Sequence, residues 1–186
     1  MGIIMQDSLN VIRITYWEEM YQHWLKEELF TFPWFFNIAF IIILFIIWIK
    51  LVDKRRLKEL LLFGSFIAIT VGFIDIVAVT VGLWQYKVKL FPISTLFPFD
   101  YTVIPIFYML VLQYTSNWRS YILGSLLAAA VYSFILSPVY ILLGIKEYFL
   151  FNHFYVFITV FIVTSVIKAI LNWILDIELR HKLNKD

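Results

Sequence analysis

From residue 34 onward the chain is a succession of long apolar runs. The first, 34–50, is interrupted only by Asn37, and later runs cover roughly 60–84, 99–116, 121–145 and 149–173. Runs of this length match the ~20 apolar residues needed to cross a bilayer core. The pattern therefore predicts five transmembrane helices, of which the third is the shortest and holds Pro105, with Pro98 just before it. Upstream, residues 8–30 behave differently. Ile12, Tyr16, Trp17, Met20, Trp24 and Leu25 recur at helical spacing among Arg13, Glu18, Glu19, Glu27 and Glu28, which predicts an amphipathic helix. Its Trp and Tyr content suits the headgroup zone, and Pro33 reads as the joint to the first span. A secretory signal fits badly, because the start is acidic and the apolar run begins late. The expected fold class is all-α: a membrane bundle of five transmembrane helices with an N-terminal amphipathic interfacial helix. Residues 1–33 form that surface helix, 34–175 the membrane domain and 176–186 a cytoplasmic tail.

Composition reinforces the membrane reading. The 186 residues are 62% hydrophobic and only 15% charged, with a mean hydropathy of +0.87. Soluble domains carry roughly 45–50% apolar and about 25% charged residues. The chain has no cysteine, which excludes disulfides, a thiolate nucleophile, iron–sulfur clusters and Cys-based zinc sites. A net charge of +2 with basic residues at the predicted membrane edges gives no nucleic-acid signature. No HExxH, Walker or GxGxxG pattern occurs. No repeat between halves is evident, and five spans do not divide into two equal inverted halves.

The distribution of Lys and Arg predicts orientation. Lys50, Lys54, Arg55, Arg56 and Lys58 crowd the first inter-span loop, Arg119 lies between spans three and four, and Lys168, Arg180, Lys182 and Lys185 follow at the end of span five. All fall on one side of a five-span arrangement, which the positive-inside rule makes cytoplasmic. The N-terminus, the 85–98 loop with Lys87 and Lys89, and the Lys146-Glu147 turn then lie outside, in a cytoplasmic membrane.

Asp75 is the residue that most invites a functional question. It sits within span two between Phe73-Ile74 and Ile76-Val77, where a central aspartate costs roughly 2.5–3.5 kcal/mol on insertion scales. At about 100° per residue, Gly64, Ala68, Gly72, Asp75 and Gly82 share one stripe. Small residues so spaced let another helix approach closely, so Asp75 is expected to face protein or a cavity. Asp100 opens span three, where an aspartate complements the helix dipole. On the predicted topology both carboxylates lie in the outer half, where a pair in a low-dielectric pocket separates its pKa values and can act as acid and base. Trp84, Tyr86, Tyr101, Glu147 and His153 fall in the same layer and are candidate ligand-binding residues. The plainer account of them is an aromatic belt with solvated turns. His153 has no spaced second histidine, so neither a metal nor another cofactor is expected. Ser137-Pro138 marks a kink, and Tyr108 and Gln113 are expected to pack between helices.

Leu83-Trp84-Gln85-Tyr86 and the stretch from Leu96-Phe97-Pro98-Phe99-Asp100 to Pro105 suggest a family. From Lys50 to Tyr114 the chain resembles a group of small multi-pass membrane proteins of spore-forming Bacillus- and Clostridium-type bacteria. That resemblance implies a bacterial cytoplasmic membrane. A fainter one is to the small heterodimeric membrane lycopene cyclases, which place a Trp-x-Tyr at the outer end of one helix and a Pro-plus-acid motif at the next. Trp84 and Tyr86 match the first part, while Pro98-Phe99-Asp100 departs from the acidic pair of the second.

Three functions follow as expectations. The first is a non-catalytic membrane protein that binds membrane lipids or a membrane-protein partner in an envelope or sporulation-related role. The second is an isoprenoid or lipid cyclase or isomerase using Asp75 and Asp100 as acid and base. The third is a small proton-coupled transporter with Asp75 as coupling residue.

Overall fold

The computed structural model describes residues 2–97 and 101–184, with side chains from residue 7. Helix α1 (Gly2–His23) ends in a π-turn at Trp24–Glu28. Phe30, at φ 60°, lies in the turn that leads into α2 (Phe32–Leu51), whose second position is Pro33. There follow α3 (Leu57–Thr80), a short strand β1 (Trp84–Tyr86), α4 (Val103–Tyr114), α5 (Trp118–Val131), α6 (Ser137–Leu142), β2 (Lys146–Tyr148) and α7 (His153–Leu183). Helices α5 and α6 form one rod joined by a π-turn at Tyr132–Leu136. Pro138 lacks the N–H that would bond one turn back, which accounts for the distortion just before it.

The described residues are thus overwhelmingly helical. Among the described residues, four segments are long and apolar enough to cross a membrane: Phe32–Leu51, Lys54–Thr80, Trp118–Leu142 and His153–Leu183. The predicted third span differs. Its helix has 12 residues, about 18 Å at 1.5 Å per residue, against a core of about 30 Å. At the end away from the strands, Gln113 donates to the Leu51 carbonyl at 2.9 Å and accepts from the Asp53 N–H at 2.7 Å.

Helix α3 stops short of the predicted span end at Trp84, and α6 stops short of Ile145. Both stops have one cause: Gly82 and Gly144 adopt φ of 76° and 69°, a conformation that costs an L side chain about 1–2 kcal/mol. Each closes a Schellman cap. Leu83 and Gly82 donate to the carbonyls of Ala78 and Val79, and Ile145 and Gly144 donate to those of Tyr140 and Ile141. Helix α7 in turn continues through Asp176 to Leu183, where a separate tail was expected.

These matching caps expose a short internal repeat where none was expected between halves of the chain. Val81-Gly82-Leu83-Trp84-Gln85-Tyr86 is echoed 62 residues later by Leu143-Gly144-Ile145-Lys146-Glu147-Tyr148. The two strands pair antiparallel with Gln85 opposite Glu147, Trp84 opposite Tyr148 and Tyr86 opposite Lys146, a register symmetric about its centre. The flanking bonds obey the same symmetry: Lys87 donates to the Ile145 carbonyl and Phe149 to that of Leu83. At the same spacing Phe63, Ile67, Val71, Asp75 and Ala78 correspond to Ser125, Ala129, Ser133, Ser137 and Tyr140, and all ten are buried. Part of the small-residue stripe meets α4 and the residue shortly before it, while a Cβ at Gly82 would meet nothing within 4 Å. A Cβ at Gly64 would lie 2.7 Å from Met109 Sδ, and one at Gly72 would overlap the Tyr101 ring.

Candidate functional site

The ribbon folds Trp84 and Tyr86 back onto α3 because strand residues two apart share a face. Both reach Asp75. The Trp84 indole donates to Asp75 Oδ1 at 2.9 Å and the Tyr86 hydroxyl donates to the same oxygen at 2.7 Å. Asp75 is buried, at 4% exposure, and its Oδ2 has no hydrogen-bond partner. Two neutral donors on a single oxygen hold the carboxyl in a fixed orientation and leave the second oxygen available. The corresponding position in the second repeat is Ser137, whose hydroxyl lies 2.6 Å from that of Tyr148, the counterpart of Tyr86.

Asp75 lines a cavity of about 330 Å³ beneath the ribbon, bounded on one side by α3 and on the other by α7 through Val156, Thr159 and Val160. Its walls are almost wholly apolar. Phe73 and Val77 belong to its rim and are exposed on the outer flank of α3, so the cavity opens sideways. Lys146 also lines it, occupying in the second repeat the place of Trp84 in the first. Its ammonium stands over the rings of Trp84, Tyr148 and Tyr86 at 4.6, 4.8 and 5.3 Å from their centroids, a cation–π arrangement.

The remaining predicted residues divide. Asp100 lies outside the described residues. Tyr101 packs against Gly72 and stacks edge-on with Phe97, centroids 5.4 Å apart. Glu147 points to the opposite face of the ribbon from Trp84 and Tyr86. There it accepts from Gln85 at 2.8 Å and pairs with Lys87 at 3.1 Å. The hydrogen bond from Gln85, then that from Lys87, hold its carboxyl below the usual carboxylate range. His153 packs against Tyr148, ring centroids 5.3 Å apart, and its Nδ1 has no partner. Tyr108 and Gln113 serve packing: Tyr108 donates to the Ser125 carbonyl at 3.2 Å, and Gln113 ties α4 to the α2–α3 loop.

Nothing in the sequence marks Lys146, in the predicted turn, as buried, and nothing there signals a buried ion pair. Glu28 Oε1 meets Lys89 Nζ at 2.7 Å, and its other oxygen accepts the Lys89 N–H at 2.7 Å. The indoles of Trp24 and Trp34 donate to the carbonyls of Lys89 and Leu90. Together these bonds fasten the end of α1 and the start of α2 to the chain beyond β1.

Compared with protein-family models, curated proteins and solved structures, the chain finds no match.

Proposed function

We propose that this is a multi-pass protein of the bacterial cytoplasmic membrane, non-catalytic, that binds a lipid in the cavity beneath the ribbon. The observation that carries the reading is the shape and chemistry of that cavity. It is apolar, opens on a flank of α3 that faces outward from the bundle, and ends at one carboxyl oxygen without a partner. An amphipathic molecule entering sideways from the bilayer matches all three. The chain crosses the membrane five times on this reading, with α4 in the third passage. Three features support that count: the ribbon joins the ends of α3 and α6, Gln113 sits at the opposite end, and the basic loops gather at that opposite end. The ribbon faces outward and the C-terminus lies in the cytoplasm, as the positive-inside rule requires. The resemblance to membrane proteins of spore-forming bacteria agrees with an envelope or sporulation-related role.

Native mass spectrometry of the protein purified from its own membrane in a mild uncharged detergent tests the reading. The expected result is one retained lipid of a single class per chain. Thr159→Trp, which fills the cavity, should remove it while the protein still unfolds in one cooperative transition. A lipid mixture that mirrors the whole membrane, or a recurrent protein partner with no bound lipid, would sink it.

A second reading, proton transfer to a bound isoprenoid or other lipid, draws support from the unpartnered Asp75 Oδ2. It requires that the retained molecule be chemically converted and that Asp75→Asn stop the conversion without releasing it.

A further inference from the structure

The two repeats differ in a way that places an acidic and a basic side chain in one cavity with no ion pair to either among the described residues. In the first repeat, Asp75 receives Trp84 and Tyr86 on Oδ1, and Oδ2 is left over. In the second, Lys146 replaces Trp84, while Ser137 replaces the carboxylate that would have been its counter-ion. Its ammonium consequently meets three aromatic rings and, among the described residues, takes no ion pair. Asp75 is 4% exposed and Lys146 6% exposed. Burying either charge alone is costly unless it is paired and hydrogen-bonded, and the two form no salt bridge with each other although both line the same cavity. A ligand that carries both signs completes both groups. A purely anionic head would satisfy Lys146 and oppose Asp75, and a neutral head would leave the ammonium unpaired.

We infer that the bound lipid is zwitterionic, with a primary ammonium on Asp75 Oδ2 and a phosphate on Lys146, the head-group chemistry of an aminophospholipid. This rests on the lipid-binding reading above and adds the head group to it. The apolar walls between α3 and α7 then receive the first part of an acyl chain, and the rim at Phe73 and Val77 passes the remainder to the bilayer. Asp75 and Lys146 act as binding residues here, with no bond made or broken.

The experiment titrates the full-length protein, stripped of lipid and held in maltoside micelles, with four probes read by thermal shift and native mass spectrometry. They are dioctanoyl phosphatidylethanolamine, dioctanoyl phosphatidylglycerol, dioctanoylglycerol and phosphoethanolamine without tails. Phosphatidylethanolamine is expected to bind tightest, by about tenfold over phosphatidylglycerol, with dioctanoylglycerol weaker again. Lys146→Gln should cancel the advantage of phosphatidylglycerol over dioctanoylglycerol and reduce that of phosphatidylethanolamine, and Asp75→Asn should bring phosphatidylethanolamine down to phosphatidylglycerol. If either variant fails to fold, the ranking on the native protein still decides. Equal binding of phosphatidylglycerol or dioctanoylglycerol would overturn the head-group assignment and leave lipid binding intact. Equal binding of tail-less phosphoethanolamine would replace the lipid by a soluble zwitterion and overturn it too. No binding by any probe would remove the lipid-binding reading itself.

Discussion

Glu28 and Lys89 are 61 residues apart in the chain, yet each is more than nine-tenths buried against the other. Removing one partner from such a pair strands the other charge, at a cost of about 3–5 kcal/mol, whereas replacing both with apolar groups of similar size is often neutral. Glu28→Ala is therefore expected to lower stability by about 3 kcal/mol, and Glu28→Leu with Lys89→Met to recover most of the loss. Equal destabilisation by the single and double variants in thermal unfolding would show that the pair is not what holds α1 and the loop together. Asp75→Asn is a different case. The two donors on Oδ1 can still bond an amide oxygen, so the fold should survive with a change in melting within about 1 kcal/mol. At this scale the sequence revealed Asp75, because an aspartate inside an apolar run is conspicuous. It concealed Lys146 and Glu28, because a charged residue in a turn or a surface helix looks solvated until the fold covers it.

At the scale of elements, the small-residue stripe and the glycine caps set how closely the helices pack and where they stop. Gly72 touches the Tyr101 ring so closely that any side chain must displace it. Overpacking of this kind costs about 1–3 kcal/mol. Gly72→Ala should thus destabilise the protein, and adding Tyr101→Ala should cancel part of the loss, a coupling that a double-mutant cycle measures. Gly82 offers a contrast, since a Cβ there meets open space and the cost of Gly82→Ala is backbone strain alone, about 1–2 kcal/mol. No change at Tyr101 should relieve it. The apolar runs announced the helices well, since length and composition suffice for a membrane span. They blurred the ends, because Leu83-Trp84 and Ile145 are as apolar as the helices they follow. The ribbon escaped notice for a related reason: three-residue strands carry too little alternation to stand out from a turn.

For the whole molecule, the absence of cysteine gives a clean background for topology mapping. Ser94 and Ser116 are exposed at opposite ends of the bundle. In intact cells, Ser94→Cys should react with a membrane-impermeant maleimide and Ser116→Cys only after permeabilisation. The reverse pattern would invert the proposed orientation, and labelling of both from outside would end the five-passage arrangement. The sequence by itself determined that the chain lives among apolar helices, which ends carry the basic residues, and that Asp75 must turn away from lipid. Those conclusions follow from local quantities, since hydropathy, loop charge and helical spacing are all read within one segment. Tertiary structure alone decided that Trp84 and Tyr86 close on Asp75, that Lys146 stands in the same cavity, and that two distant strands share one symmetric ribbon. Each of these joins residues from separate helices, and such contacts are fixed by where two glycine caps turn the backbone and by which rods then pack together, information that no single segment contains.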